Sequence, residues 1–196
     1  MSHNVWFEEV NRGLLEELKK SIKIYDFNGN LVPLDEEEHS FVVRKPEEDF
    51  KFEKYPCVSI YNTSYSFDYE RQDPIGVPID KDEERHVMTI EKPHVPFNLS
   101  YQIDFWARYQ TDMDAMTMTW LTDHFRQFNL SVTDDGGVER TCNCMMKGEI
   151  IKSDLVESNE RLYHSIITLL IWVELDSGMT YNTPMVGEVD IDFNRN

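Results

Sequence analysis

The chain has 196 residues, 40% of them hydrophobic and 12% aromatic, so it is long and apolar enough to bury a core and is not a disordered chain. It carries 37 acidic and 19 basic residues, and its net charge of −18 disfavours long-range attraction to free nucleic acid. No apolar run reaches the ~18 residues that cross a bilayer. The N-terminus lacks a signal-peptide pattern, so the sequence predicts neither a membrane span nor export.

The first predicted element is a helix, because apolar residues recur at steps of three and four: Val5, Trp6, Val10, Leu14, Leu18 and Ile22. Gly13 is expected to weaken this helix locally. The pair Asn28-Gly29 then predicts a hairpin with a two-residue turn between short apolar runs. A calcium loop starting at Asp26 is the alternative, but Leu31 stands at its sixth position, where such a loop requires glycine.

A short strand is predicted around residues 41–44, and a longer one over 56–69 with an irregularity near Asn62. Residues 70–86 are rich in Pro, Gly, Asp and Glu and predict an exposed loop available for contacts. Another strand is expected over 86–92. Acidic residues cluster at 35–38, 47–49 and 80–84, which indicates either solvated loops or a surface that does not adhere to a polyanion.

The clearest alternation in the chain runs over residues 99–109, where one face is apolar and the other is polar except for Trp106. At Thr111 the period changes to that of a helix with one apolar stripe: Met113, Met116, Trp120, Leu121, His124, Phe125 and Phe128. Thr111 is predicted to be the N-cap, with Asp114 completing a capping box. A D-x-D metal site at Asp112 and Asp114 is the alternative, but capping and the helix dipole explain both carboxylates without a ligand.

After this helix the sequence predicts two strands around Gly136-Gly137 and a polar connection over 148–160, with a short strand over 149–152 as an alternative within it. A long strand over 161–175 follows; it is apolar on both faces and therefore central. Residues 1–176 are thus predicted to form a single α+β domain, with a mostly antiparallel sheet and two main helices packed on one face. Residues 177–196 are interpreted as a C-terminal extension that docks on a neighbouring subunit as an arm.

Few side chains suggest chemistry. His124 lies on the apolar stripe, which is typical of a hydrogen-bonded core or interface histidine, and no other histidine has a partner at motif spacing. Cys57, Cys142 and Cys144 are interpreted as reduced, packed thiols, because the C-x-C pair has no second pair of ligands at zinc spacing. With no hydrolase, nucleotide-binding or zinc-protease motif, the sequence predicts neither an enzyme nor a metal or other cofactor.

Three segments, in this order, resemble structural proteins of tailed bacteriophages: KYPCVSIYNTSYSFDYERQ (54–72), VPFNLSYQIDFWARYQTDMDAMTMTWL (95–121) and RLYHSIITLLIWVELD (161–176). The chain is most similar to the neck and tail-completion proteins of contractile-tailed phages, which include tail terminators. The resemblance covers residues 40–176. It lies in the pattern of residue types within the segments and in their order, rather than in a catalytic signature.

This resemblance implies a virion structural protein of the phage neck, most like a tail terminator. Such subunits form a six-membered ring on the last ring of the tail tube, stop tube growth and offer a surface to the head connector. A head–tail adaptor or another tail-associated subunit is the alternative within this class. A metal-dependent enzyme that uses Asp112 and Asp114 is the alternative outside it.

The implied partners are copies of the chain in a hexameric ring, tail tube and sheath proteins, and head–tail connector proteins. DNA is expected only to pass through the lumen, no membrane is implied, and assembly is expected in the host cytoplasm before the protein joins the virion. Candidate interface residues are Trp106, Arg108, His124, Tyr181 and Met185. Candidate carboxylates of the channel or its rim, which would repel DNA phosphates, are Asp80, Asp82, Glu83 and Glu84.

Overall fold

The computed structural model describes residues 7–34, 40–43, 54–72, 77–85, 87–134, 136–157, 160–175 and 180–184. Its elements in chain order are α1 (Phe7–Ser21), β1 (Lys23–Tyr25), β2 (Leu31–Pro33), β3 (Ser40–Val43), β4 (Cys57–Phe67), β5 (Val77–Asp82), β6 (Val87–Glu91), β7 (Val95–Ala107), α2 (Gln110–Asp123), β8 (Gln127–Thr133), β9 (Glu139–Glu157), β10 (Glu160–Leu175) and β11 (Thr180–Pro184). These two helices and mostly antiparallel sheets confirm the predicted α+β class. Neither α1 nor α2 is long and apolar enough to span a membrane.

A six-stranded sheet, termed the central sheet, has the order β3-β4-β7-β10-β9-β8. All of its neighbouring strands are antiparallel except β3 and β4. The long β10 lies between β7 and β9, which confirms the predicted central strand. The β4–β7 pairing slips between Asn62 and Ser64, where the sequence predicts an irregularity. Because side chains alternate along β7, one face of the sheet carries a buried apolar row: Leu99, Tyr101, Ile103, Phe105 and Ala107.

Both helices contribute to the hydrophobic cluster that includes this apolar row. The side of α1 that faces the core is the apolar stripe that the sequence predicts, because Val10, Leu14 and Leu18 are buried. Helix α1 packs against β8, while α2 packs against β1, β7 and β10. A Cβ on Gly13 would lie 2.8 Å from the carbonyl oxygen of Ser131, so this glycine allows the helix to approach the strand closely. The placement of both helices on one face of the sheet stays a prediction.

The predicted hairpin is present as β1 and β2, but its turn is longer than two residues. The loop runs over residues 26–30, with Gly29 at φ +80°. Asp26 Oδ1 accepts hydrogen bonds from the backbone N–H groups of Asn28 and Asn30, each at 2.8 Å. The bond from the Asn30 backbone is the main cause that holds the pKa of Asp26 below its ordinary range. The carboxylate therefore stabilises the turn, in agreement with a hairpin rather than a calcium loop.

The joint between β7 and α2 differs from the predicted capping box. Tyr109, with φ −113° and ψ 137°, is the N-cap, and it makes no side-chain capping bond. The β7–β10 pairing ends two residues earlier, so the helix begins directly after Tyr109 and Thr111 already lies inside its first turn. Asp112 is in the first turn, where the helix dipole favours a carboxylate. Asp114 instead pairs with Lys152 of β9 at 2.8 Å.

A smaller antiparallel sheet, termed the side sheet, has the order β11-β6-β5. Within the described residues it contacts no other helix or strand, so it stands apart from the central sheet. Strand β5 lies in the segment 70–86, for which the sequence predicts a loop. Its charged residues favoured the loop prediction, but pairing with β6 stabilises a strand. Strand β9 likewise covers most of the connection predicted over 148–160, because it continues along β10 past Gly148, at φ +73°.

The C-terminal extension includes β11, which pairs with β6 of the same chain. Residues 177–179 and 185–196 of this extension lie outside the described part of the chain. The acidic clusters at 35–38 and 47–49 lie outside it as well, as do the first two residues of the predicted helical stripe. The domain boundary at residue 176 and the role of the extension as an inter-subunit arm stay predictions.

Candidate functional site

The two faces of the central sheet differ in composition. The face opposite the apolar row, termed the second face, carries the residues that alternate with that row and their partners on neighbouring strands. Its half-buried side chains are Tyr61, Asn98, Ser100, Gln102, Trp106, Met145, Ile166, Thr168 and Trp172. None of these nine is charged, although the chain has a net charge of −18. Aromatic enrichment with few charges is typical of the core of a protein interface.

Asp104 and His164 form a buried pair on this face. His164 Nε2 lies 2.7 Å from Asp104 Oδ1, and the two residues are 8% and 0% exposed respectively. Gln102 Nε2 donates to the same carboxylate oxygen at 2.9 Å. The hydroxyl group of Tyr61 donates in turn to Gln102 Oε1 at 2.7 Å. This series of hydrogen bonds connects β4, β7 and β10, the three strands at the centre of the sheet.

Trp106 covers the buried pair. It lies directly opposite His164 in the β7–β10 ladder, and the two rings stack with their centroids 3.7 Å apart and their planes 7° from parallel. The indole shields one side of the imidazole from water, which strengthens the hydrogen bond between His164 and Asp104. This contact explains why a tryptophan stands on the face that the sequence predicts to be polar.

Ser153 extends the network to β9, with its Oγ 3.5 Å from His164 Nδ1. Ser153, His164 and Asp104 therefore stand in the order of a hydrolase triad. The distance between Ser153 and His164 is at the outer limit for a hydrogen bond, and Trp106 lies flat on the imidazole. Since Asp104 also accepts the bond from Gln102, the arrangement is better suited to holding the strands in register than to attacking a substrate.

His164 has no partner at motif spacing in the sequence, and the structure shows that its partner is distant in the chain. Asp104 and His164 are 60 residues apart, so motif spacing does not connect them; the register of β10 on β7 does. A usable signal was present, because each is a titratable residue within a strand that the sequence predicts. Pairing those two strands in antiparallel order brings such residues within reach of each other.

The interface candidate His124 is buried inside the subunit, at 4% exposure. Its Nε2 lies 3.0 Å from Glu17 Oε1, and its Nδ1 lies 3.3 Å from the carbonyl oxygen of Trp120. Its ring stacks on the Trp120 indole at 4.0 Å. His124 thus joins α2 to α1 as a core histidine, which was one of the two alternatives, and a role between subunits stays a prediction.

The other interface candidates lie in different parts of the fold. Arg108 is exposed just after β7, with its guanidinium 5.4 Å from the centre of the Tyr55 ring. Tyr181 is in β11, in the side sheet, and its side chain lies outside the described part of the chain. Met185 lies outside it entirely. Within the described residues, Arg108 follows Trp106 by two positions at the end of β7, whereas Tyr181 is on a strand of the side sheet.

The four carboxylate candidates lie together on β5 and the turn that follows it: Asp80, Asp82, Glu83 and Glu84. Asp82 forms an exposed ion pair with Arg85 at 3.5 Å, and Lys81 lies between the two aspartates. The local negative charge is therefore smaller than four carboxylates alone indicate. The cluster stands apart from the central sheet, and its position in a channel or on a rim stays a prediction.

Asp112 and Asp114 do not converge on a common point. They are two residues apart on α2, so their side chains point to different sides of the helix. Asp114 is also paired with Lys152. In the parts of the chain that the structure describes, no group of three or more His, Cys, Asp and Glu residues is placed to hold a metal ion. The D-x-D alternative therefore lacks the converging oxygen ligands that a divalent cation needs.

The three cysteines are free and buried, as the interpretation of packed thiols requires. Cys142 and Cys144 lie on the same face of β9 and belong to the hydrophobic cluster. Burial raises the pKa of the Cys142 thiol to about 11 and that of Cys144 further. Both therefore remain protonated and poorly reactive in the folded protein at neutral pH.

No protein-family model matches the chain, and no curated protein sequence matches it. Among solved structures, the chain is similar to a component of an extracellular contractile injection system described as the PVC sheath/tube terminator in its extended state. The similarity has a TM-score of 0.49 at 13% identity and covers 98% of this chain. The chain spans 65% of the length of that terminator. A likeness of this size does not assign a function.

Proposed function

We propose that the chain is a structural subunit of a contractile tail or tail-like particle, and that it is a tail terminator that forms a ring on the end of the tail tube. The observation that carries this proposal is the second face of the central sheet. Its half-buried tyrosine, tryptophans and neutral polar side chains have the composition of an interface core, in a chain whose other surfaces must carry a large acidic excess.

A ring subunit needs two different surfaces that fit each other, because contacts that repeat around a ring are heterologous. The second face offers one of them, with Trp106, Tyr61 and Trp172 as its aromatic side chains. The hydrogen-bonded network beneath Trp106 keeps Trp106 and Tyr61 fixed before binding, which lowers the entropy cost of association. The sequence resemblance gives six as the expected number of subunits.

The proposed partners are the last ring of the tail tube and the sheath around it, and in a phage neck also the head connector. The sequence resemblance supports these partners. The structural neighbour is described as a terminator of both sheath and tube, which agrees with them. A head–tail adaptor remains the alternative within the class, and it would bind the connector without stopping tube growth.

In the proposed ring the acidic turn of the side sheet faces the lumen. This sheet contacts no other described helix or strand, so it is free to project from each subunit. Repeated around a ring, even a small negative charge for each subunit repels the phosphates of passing DNA. A structure of the assembled ring with this turn on the outer rim would refute the channel assignment.

Growth of tail tubes in the presence of the purified chain tests the terminator role. A terminator binds tube ends and yields short, capped tubes at substoichiometric amounts, whereas an adaptor binds the connector and leaves tube length unchanged. Trp106→Glu places a charge in the second face and should abolish capping, and Met118→Glu on the exposed side of α2 is the matched control. Tubes of unchanged length with the native chain would refute the proposal.

A further inference from the structure

The tip of the β1–β2 hairpin presents an aromatic side chain to solvent. Phe27 has a relative exposure of 110%, and its neighbours on the hairpin, Tyr25 and Leu31, are 51% and 47% exposed. These three side chains are termed the hairpin knob. Asp26 and Asn30 close the loop beneath it in both directions: the Asp26 N–H donates to the Asn30 carbonyl at 2.9 Å, and the Asn30 N–H donates to Asp26 Oδ1 at 2.8 Å. A loop held in this way loses little entropy when a partner buries the knob.

A surface that fits such a knob lies on the second face of the central sheet. Two adjoining cavities, here termed the Trp172 groove, share Trp172 and Asn143 in their walls. The smaller has a volume of about 180 Å³ and is also lined by Gln127 and Asn129. The larger has a volume of about 330 Å³. Since a cavity of about 150 Å³ accommodates benzene, the smaller one is large enough for a single aromatic ring.

We propose that the hairpin knob of one subunit inserts Phe27 into the Trp172 groove of a second copy of this chain. This inference rests on the proposed function, because it names the contact that closes the ring. The knob and the groove are on different sides of the subunit. Strand β1 packs on α2, which contributes to the same hydrophobic cluster as the apolar row, whereas the groove opens on the second face. Contact between two different surfaces of identical chains generates a ring when the rotation closes.

The polar groups of the two surfaces are complementary as well. The hairpin has two charged side chains, Lys23 at the start of β1 and Asp26 in the loop at its tip. Arg71 and Arg140 line the larger cavity of the groove, together with one carboxylate. Arg140 lies opposite Val132, on the face of the apolar row, and donates through Nε to Asp134 at 2.8 Å. Arg71 lies beside Trp172, with its guanidinium carbon 5.9 Å from the centre of the indole ring. A cation at this place favours the carbonyl and carboxylate oxygens of the hairpin tip over a cationic partner.

The polar rim of the groove consists mainly of amides. Asn129 and Asn143 are exposed and directly opposite each other on β8 and β9. The hairpin tip carries two further amides, Asn28 and Asn30, beside Phe27. Amide groups both donate and accept hydrogen bonds, so the two pairs can satisfy each other around a buried aromatic ring. Such a polar rim around an aromatic anchor is the usual anatomy of an interface hot spot.

Disulfide trapping between two single-cysteine variants tests this contact. Phe27→Cys and Asn129→Cys are mixed in equal amounts and oxidised, and the covalent dimer is identified by mass and peptide mapping. The native cysteines are buried and do not interfere. A mixed Phe27–Asn129 disulfide is expected. Met118→Cys mixed with Asn129→Cys is the control, since Met118 is 62% exposed on α2 and is outside the knob. Trapping no greater than in this control would overturn the inference.

Self-association of Phe27→Ser provides a second readout that does not depend on cysteine chemistry. The variant should fold normally, because Phe27 makes no buried contact in the subunit, and its dissociation constant should rise about 10-fold to 100-fold. Rings of the native chain that persist unchanged in Phe27→Ser would overturn the inference and leave the ring proposal standing. Trapped dimers without closed rings would support the contact and count against the terminator role.

Discussion

Trp106 and His164 stack across the β7–β10 ladder, with their ring centroids 3.7 Å apart and their planes 7° from parallel. Beneath this stack His164 bonds the fully buried Asp104, so one tryptophan separates a titratable pair from the surface of the second face. The same residue is thus part of the internal network and of the surface that we propose as an interface. This double role allows stability and assembly to be tested with the same variants.

Trp106→Ala should destabilise the subunit by about 2 kcal/mol, less than the 3–5 kcal/mol typical of a fully buried tryptophan, because the ring is only half-buried. Trp106→Phe keeps an aromatic ring over His164 and should recover most of this loss. Urea unfolding followed by circular dichroism measures both variants. Equal stability of Trp106→Ala and the native chain would show that the stack does not stabilise the fold.

Asp104→Ala removes the acceptor that serves both His164 Nε2 and Gln102 Nε2. Leaving these buried donors unsatisfied should lower the free energy of unfolding by about 1–3 kcal/mol for each group that finds no water. Asp104→Asn retains an acceptor oxygen at the same place and should cost clearly less. If thermal and urea unfolding gave the two variants the same stability, the proposed role of the carboxylate as a shared acceptor would be wrong.

Gly13→Ala separates helix propensity from packing. In an exposed helix this substitution stabilises by about 1 kcal/mol. Here a Cβ would lie 2.8 Å from the Ser131 carbonyl oxygen and 3.2 Å from Val132 Cγ2, so α1 must move away from β8. The expected result is a net destabilisation of about 1–3 kcal/mol. Arg12→Ala, at the exposed neighbouring position, is the control. A more stable Gly13→Ala variant would contradict the close approach of α1 and β8.

The turn between β8 and β9 should make stability depend on pH in the acid range. Burial acts to raise the pKa of Asp134, but hydrogen bonds from Val138, Arg140 and Gly136 outweigh it and hold the pKa below its ordinary value of 3.8. The stabilisation is therefore fully present above pH 3.8 and is lost as the pH falls through the lowered pKa of the folded state. Asp134→Asn should flatten the dependence of unfolding free energy on pH below about pH 4. An unchanged acid slope would contradict this assignment.

Much of the fold was predictable because its signals are local. Three predictions depend on which side chains face the core: the alternating strand β7, the long apolar strand β10 and the irregularity in β4 near Asn62. All three are confirmed. Strand β5 was missed for the converse reason. It lies in a sheet that packs on no other described element, so its sequence contains charged residues at positions where a core strand would be apolar.

The functional surfaces were less predictable because they depend on register. Trp106 stood out in the sequence as an apolar residue on a polar face, but its partner His164 was identified only from the pairing of β7 with β10. The capping box at Thr111 was wrong because the strand ends earlier than the cap signal, which places the N-cap at Tyr109. Phe27 was not singled out, since one phenylalanine beside Asn28-Gly29 gives no indication of how rigidly the loop presents it.

The oligomeric state of the purified chain tests the central claim most directly. Native mass spectrometry, with negative-stain images of the same sample, should show one closed ring, with six copies as the expected number. The Trp106→Glu variant should give monomers of native secondary structure. A native chain that remains monomeric at every concentration, both alone and in the presence of tail tubes, would contradict the assignment as a ring-forming terminator.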